Sequence, residues 1–318
     1  MDITLILCTY NRCQSLAKCL DSIAASELPE PVEWEVLVVD NNSHDQTREV
    51  VDGFCRRYPG RFRYLFEPQQ GKSHALNAGV RQARGDVLAF TDDDVRVETT
   101  WLHELTAALH NGEWAGAGGR TMPERLLSPP PWLPLGDRTA LGLLGLFDLG
   151  LVAGELAEPP FGNNMAFRKQ ILEKYGEFRT DLGPRPGSEV RGEDTEFGRR
   201  LLMARERLRY EPSAVVYHAV PECRVQKKYF LAWWFDKSRA DMRALGTSPE
   251  VKWYVAGVPL YLFRRIVVWT VRWMTSVRSS QRFCNKLKVW GVAGAMLECY
   301  QRTHCEKMPK DKYSLPGT

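Results

Sequence analysis

A chain of 318 residues is long enough to bury a full hydrophobic core, as one large domain or two small ones. Its 44% hydrophobic and 26% charged residues are those of an ordinary globular protein, which excludes a disordered or fibrous chain. The net charge of +4 hides an asymmetry. Residues 221–318 carry 18 Lys/Arg against 7 Asp/Glu, a balance of +11, and residues 1–220 carry 25 against 32, a balance of −7. An acidic body with a basic tail points to an anionic partner for the tail, a membrane surface or nucleic acid.

The opening Met1-Asp2-Ile3 has no basic region, and its apolar run is too short for a secretory signal. The eight cysteines are scattered without paired CxxC spacing and read as reduced thiols of a cytosolic protein. Cys299, His304 and Cys305 are close in sequence, but nothing supplies the rest of a zinc site.

Residues 3–8 read as a first buried strand, closed by the polar Thr9-Tyr10-Asn11-Arg12. Residues 13–25 place Leu16, Leu20 and Ile23 at helical spacing. Residues 34–39 form a second strand ended by Asp40-Asn41-Asn42-Ser43. A helix follows from about 44 to 58, where Pro59-Gly60 stops it. Residues 62–66 read as a third, shorter strand, and Gly71-Lys72-Ser73 opens a helix carrying Ala75, Leu76, Ala78 and Val80. The turn signal Gly85-Asp86 precedes a fourth strand, Val87 to Phe90, which runs into Asp92-Asp93-Asp94. Strands alternating with helices argue for an α/β domain around a mostly parallel sheet.

Three adjacent carboxylates repel one another and are costly beside a core unless something positive sits there. If the strand geometry continues, Asp92 and Asp94 point one way and Asp93 the other. Two same-facing carboxylates at the carboxyl end of a strand suit a hard divalent cation, Mg2+ or Mn2+, that also holds a phosphate. In open α/β sheets ligands bind outside the carboxyl ends of the strands, where Thr9-Tyr10-Asn11, Asp40 and the aspartates all fall. Asp40 suits base or ribose hydroxyl groups. Lys72 can reach a base or a phosphate, though a solvated helix lysine accounts for it as well. With no GxGxxG after the first strand and no GxxxxGK[ST] anywhere, dinucleotide-dehydrogenase and P-loop readings are poor.

Further along, residues 99–109 read as a helix and 114–119 as a short strand with close-packing glycines. Residues 122–160 hold Pro129-Pro130-Pro131, a Leu/Gly-rich run at 141–151 and Pro159-Pro160. They read as a long irregular insertion, a lid or an acceptor-side loop. Residues 169–175 read as a helix, and 182–188 as a Gly/Pro-rich loop expected to move. Residues 215–218 read as a last strand.

Taken in order, four motifs resemble glycosyltransferase family 2 over about residues 2–220. They are Leu7-Cys8-Thr9-Tyr10-Asn11-Arg12, Val38-Val39-Asp40-Asn41-Asn42-Ser43, Gly71-Lys72 with Ala75, Asn77 and Gly79, and the D-x-D of Asp92 and Asp94. The resemblance implies a GT-A fold, a Rossmann-like sheet flanked by helices. It also implies metal-dependent, inverting transfer from a nucleoside-diphosphate sugar, with a UDP-sugar favoured. It assigns Thr9, Tyr10, Asn11, Arg12, Asp40, Lys72 and Asp93 to the nucleotide-sugar, and Asp92 to its ribose–phosphate side. Asp94, with Asp92, would hold the metal. Phe161-Gly162-Asn163-Asn164-Met165-Ala166-Phe167-Arg168 resembles the family's segment near the donor sugar and acceptor, which brings in Asn164. Gly192-Glu193-Asp194 opens a helix, where an acid is often only a cap. In the family an Asp in a G-E-D-type motif is the general base, so Asp194 takes that role and Glu193 lies beside the donor. Related GT-A enzymes sometimes place a histidine at the last strand as a further metal ligand, and His218 is the candidate.

The tail falls outside the resemblance. It holds six of the ten tryptophans, and residues 229–243 read as a helix. Residues 253–274 are strongly apolar but interrupted by Arg264, Arg265 and Arg272, short of the roughly 18 uncharged residues of a membrane span. Such a mixture suits a helix lying in an anionic membrane interface, and also a helical hairpin packed on the enzyme or a homo-oligomer contact. The expectation is an enzyme at residues 1–220 followed by a helical extension at 221–318. It would act at the cytoplasmic face of a membrane on a glycan or lipid-linked acceptor. A nucleotidyltransferase would want a Gly-rich basic loop after the first strand, which is missing. A non-catalytic scaffold would not need Asp92, Asp94 and Asp194. A nucleic-acid-binding role fits the basic tail but not the acidic body.

Overall fold

The computed structural model describes residues 1–125, 130, 132, 142–188, 190–247 and 250–304. The chain divides into two units after Gln226. The first is built on strands whose apolar residues alternate between two helical layers. Strand β1 (Ile3–Thr9) lies between β2 (Trp34–Asp40) and β4 (Val87–Asp92), with β3 (Phe62–Phe66) beyond β2, all parallel. On one face Ile3, Leu5, Leu7, Val36 and Val38 pack with Leu16, Leu20 and Ile23 of α1 (Cys13–Ala24) and Val51 and Phe54 of α2 (Thr47–Arg57). On the other face Ile6, Leu37, Val39, Leu88 and Phe90 pack with Ala75, Leu76 and Val80 of α3 (Lys72–Gln82). The period of two in each strand puts both layers within reach of one sheet.

Beyond β4 the sheet turns mixed. Its order is β3-β2-β1-β4-β8-β6-β9-β5, with β5 (Val95–Val97), β6 (Gly116–Pro123), β8 (Met165–Arg168) and β9 (Leu208–His218). The two-residue β7 (Gly154–Glu155) also pairs with β9. Strand β8 runs antiparallel to both β4 and β6, whereas β6 and β9 are parallel. The parallel half is the part the strand–helix alternation foretells. The mixed half follows from long connections, which place no such restriction on strand direction. Helix α4 (Trp101–Thr106) continues into a 3-10 turn, Ala107–Leu109. Helix α5 (Lys169–Tyr175) follows β8, and α6 (Glu193–Met203) precedes β9.

Of the insertion expected at 122–160, residues 126–129, 131 and 133–141 lie outside the described residues. In the rest, Leu143, Leu144, Leu146 and Phe147 are buried, and the Phe147 and Thr121 backbones exchange hydrogen bonds. This part of the Leu/Gly run is core, and Leu151 with the adjacent Val152 stands out into solvent. The Gly/Pro loop is tied to α3: the Leu182 carbonyl accepts from the Ser73 hydroxyl at 2.7 Å and the Pro184 carbonyl from the Lys72 amide at 3.0 Å.

The second unit contains α7 (Lys227–Leu245), a small hairpin of β10 (Tyr254–Val255) and β11 (Val258–Pro259), α8 (Leu260–Thr275) and α9 (Ser279–His304). Val258, Leu262, Val292, Ala295 and Cys299 form its small apolar cluster. Among the described residues no helix is long and apolar enough to cross a membrane. The cysteines among them are free thiols; Cys305 lies outside.

Candidate active site at the strand ends

Strand register sets the site. Thr9 is level with Asp40 across β1 and β2, and Cys8 with Asp92 across β1 and β4, so three polar strand ends meet at one edge. Strand β4 stops at Asp92 and the chain turns through Asp93-Asp94 into β5. The alternation expected of Asp92, Asp93 and Asp94 therefore breaks. Arg12 Nη1 bridges Asp93 Oδ1 and Asp94 Oδ2, each at 3.0 Å, while Asp92 Oδ1 accepts from Lys72 Nζ at 2.6 Å. Asp93 and Asp94 converge, and Asp92 faces elsewhere.

Two further elements complete the cluster. At the end of β9, His218 Nε2 lies 3.7 Å from Asp94 Oδ1 and 3.0 Å from Arg224 Nη1. Arg224 Nη2 also approaches Asp94 Oδ2 at 3.8 Å. His218 is buried, and its Nδ1 has no hydrogen-bond partner among the described residues. At the start of α6, Glu193 Oε1 lies 3.7 Å from Lys72 Nζ. Asp194 Oδ2 accepts from the Gly162 amide at 2.7 Å, and its Oδ1 accepts from the amide and hydroxyl of Thr195 at 2.6 and 3.2 Å. A Cβ at 162 would come within 2.8 Å of that Oδ2, so a larger residue there would push the carboxylate aside.

The electrostatics follow from crowding. Burial alone would raise the Asp94 carboxyl, but the hydrogen bond and charge of His218, with Arg12 and Arg224, hold it well below the usual carboxylate range. Burial pushes Asp93 up to about 6 despite Arg12. Burial alone would lower Lys72, yet the charges of Asp92, Glu193 and Asp194 outweigh it and raise its pKa. Burial also raises Glu193, against the pull of Lys72. Five carboxylates, Asp92, Asp93, Asp94, Glu193 and Asp194, thus crowd one edge, with Arg12, Lys72, Arg224 and His218 set among them.

Several residues expected to touch a donor are buried and act as bolts within the fold. Thr9 is buried and donates its hydroxyl to Asp93 Oδ2 at 2.8 Å. Asp40 is buried, with Oδ1 on the Ser43 amide and Oδ2 on the Tyr64 hydroxyl, which is pushed up to about 12 by burial and by Asp40. Asn164 has no exposed surface: its Oδ1 accepts from Trp101 Nε1, and its Nδ2 donates to the carbonyls of Arg120 and Ala214. Three of its four strong hydrogen-bonding positions are thus taken by the fold. Asp93 and Glu193 are buried as well. Tyr10, Asn11 and Arg12 are exposed at the rim, and Lys72, Asp92 and Asp94 are partly open. Asn11 adopts φ 51° and accepts the His44 amide at 2.7 Å, joining the loops after β1 and β2. The metal set Asp92, Asp94 and His218 is not gathered: Asp94 and His218 are neighbours, and among the described residues no three His, Cys, Asp or Glu side chains converge as a metal site. Arg224 and the Gly162 amide were not foreseen. Arg224 lies outside every motif, and a backbone amide has no residue signature.

The bolts give a direct expectation. Asn164→Ala leaves the Trp101 N–H and two carbonyls unpaired in the core. It should cost about 2–4 kcal/mol in a urea melt while leaving side chains at the exposed rim in place.

The sheet order and strand-end loops have the GT-A architecture of glycosyltransferases. A solved structure of this fold is the mannosyltransferase PcManGT of Pyrobaculum calidifontis, determined in complex with GDP-Man and Mn2+. It superposes with a TM-score of 0.56 at 20% identity, over 96% of this chain and 76% of that one. The protein belongs to glycosyl transferase family 2, whose family model matches residues 4–176. It is similar to the succinoglycan biosynthesis protein ExoM of Rhizobium meliloti (strain 1021), with 30% identity over 237 residues, 73% of this chain and 70% of that one. It is also similar to the glucosyl-dolichyl phosphate glucuronosyltransferase of Haloferax volcanii, with 27% identity over 254 residues, 77% and 78% of the two chains. The chain is a glycosyltransferase.

Proposed function

We propose that this enzyme is metal-dependent and inverting, and moves a sugar from a nucleoside diphosphate, a UDP-sugar by preference, to a hydroxyl of a glycan or lipid-linked acceptor in cell-surface glycan synthesis. The observation that carries this reading is the crowding of carboxylates at the strand ends, with Asp94 and His218 side by side. A diphosphate would be repelled by carboxylates crowded there, and a divalent cation offsets that repulsion. Asp94 and His218 fit Mn2+ or Mg2+: a carboxylate oxygen and a ring nitrogen side by side, with diphosphate oxygens and water to complete the shell. When bound, the cation would stabilise the charge on the departing diphosphate. A neighbour of the same fold, PcManGT, carries GDP-Man and Mn2+ together.

The chain's own groups do the rest. Arg12, Lys72 and Arg224 exchange carboxylate partners for phosphate oxygens as the donor enters, and Tyr10 and Asn11 offer the rim to the nucleoside. An ionised carboxylate accepts at about four positions, and three on Asp194 are occupied. The free one, on Oδ2, takes the proton of the acceptor hydroxyl while its oxygen attacks the anomeric carbon. The bond to the diphosphate oxygen breaks on the opposite side, which inverts the centre. The C-terminal unit serves as the contact with an anionic membrane at its cytoplasmic face.

Calorimetric titration of UDP, GDP, dTDP and CDP with and without Mn2+ tests the donor site. One nucleotide should bind at least tenfold more tightly with metal, and Asp94→Ala should remove that gain. Equal affinity with and without metal would refute the metal-dependent reading.

A further inference from the structure

Between residues 251 and 297 the sequence has eight Lys or Arg and no Asp or Glu. The fold gathers three of the eight. Where α8 ends and the chain turns into α9, a cleft of about 620 Å3 is lined by Trp269, Arg272, Arg278, Asn285 and Lys288. The Trp269 ring lies between two cations, with Arg272 Cζ 4.8 Å and Lys288 Nζ 4.1 Å from its centroid. Asn285 Nδ2 donates to Ser276 Oγ at 2.9 Å and braces the turn. Among the described residues none of the three cations is in an ion pair. Asp236 is on Arg239, Asp241 on Lys237, and Glu298 on Arg239 and Arg243.

The elbow also carries exposed apolar surface, on a face of α8 that meets the cleft at Val277. Val267, Val268, Val271 and Met274 share one face of α8 at spacings of three and four, with Met274 71% exposed, and Val277 at the turn is 97% exposed. A nucleic acid would match the cations and leave this ridge in water. A phospholipid bilayer presents a phosphate layer directly above an apolar one, and both features of the elbow then have a partner.

We propose that the α8–α9 elbow is a phospholipid-headgroup site. The ridge from Val267 to Met274, with Val277, enters the acyl boundary, and the phosphate of an anionic lipid sits between Arg272, Arg278 and Lys288. Trp269 lies at the boundary, where an indole finds both an apolar and a wet side. This rests on the reading of the C-terminal unit as membrane-facing and adds to it a defined site.

The test is flotation of the full-length protein with vesicles of phosphatidylcholine alone and of phosphatidylcholine with phosphatidylglycerol. Wild type should float with the anionic vesicles and lose binding as salt rises. The triple variant Arg272→Gln, Arg278→Gln, Lys288→Gln should bind on the order of a hundredfold more weakly, with an unchanged circular-dichroism melt. Equal charge loss elsewhere, in Lys228→Gln, Lys252→Gln, Arg282→Gln, should leave binding within a few-fold of wild type. If the two triple variants lose equally, or the first loses nothing, the cleft is not the site and the membrane reading survives. If wild type does not float, both fall. Displacement from the vesicles by dilute inorganic phosphate would mark a free-phosphate site and overturn the lipid assignment. None of these outcomes bears on sugar transfer, which is assayed separately.

Discussion

Asp194→Asn is expected to lower the rate of sugar transfer by about 10²–10⁴-fold while changing nucleoside-diphosphate affinity only a few-fold. The asymmetry follows from where Asp194 sits. Its carboxylate is aimed by the Gly162 amide and by Thr195, and contacts none of Arg12, Lys72 or Arg224 directly. An asparagine keeps the size of the side chain but cannot take a proton at the free position. Its NH2 would also face one of the backbone donors, a local cost of about 1 kcal/mol. A single-turnover assay beside a calorimetric titration separates the two readouts. A side chain that merely caps α6 would lose stability and leave the rate nearly intact. Parallel losses in rate and nucleotide affinity would instead mean that Asp194 shapes the donor pocket. The control is Thr195→Val, which removes one hydrogen bond to Oδ1 and keeps the carboxylate; its rate should fall far less.

The strand ends were legible because burial imposes a pattern. Each strand from Ile3 to Phe90 is an apolar run that must stop where polar residues begin, and parallel pairing brings those stops to one edge. What the sequence could not rank is depth. Thr9, Asp40, Asp93, Asn164 and Glu193 are the residue types that contact a sugar nucleotide, and also the types that satisfy buried backbone and side-chain groups. Here all five are buried and hydrogen-bonded within the fold. The direction of Asp94 was misread for a related reason: alternation holds only while the chain stays extended, and it turns immediately after Asp92. Arg224 was invisible because no periodicity or motif links it to Asp94; only the return of β9 along β5 brings it there. The mixed half of the sheet was hidden in the same way, since the direction of β8 and β6 is settled by contacts distant in sequence.

Glu298→Ala is expected to destabilise the C-terminal unit by about 3–5 kcal/mol. Glu298 is 1% exposed on α9 and accepts from Arg243 Nε at 2.6 Å, Arg243 Nη2 at 2.9 Å and Arg239 Nε at 3.2 Å, both arginines on α7. Removing the carboxylate takes three charge-assisted hydrogen bonds from two arginines in a buried setting, and breaking such a pair is more costly than never having built it. The helices cannot shift to compensate, because they already touch closely. A Cβ on Gly294 would lie 2.2 Å from the Phe235 carbonyl oxygen, and one on Gly291 would meet Trp234 and Ser238 at 2.7 Å. Six of the ten tryptophans lie in residues 221–318, so tryptophan emission reports mainly on this unit. Its melting temperature should fall by roughly 12–40 °C for a unit of this size. The double variant Arg243→Leu, Glu298→Leu should recover much of the loss, since an apolar pair of similar bulk avoids both desolvation costs. A Glu298→Ala protein that melts like wild type would show that Arg243 finds water or another acceptor, and that the pair contributes little to holding α7 against α9.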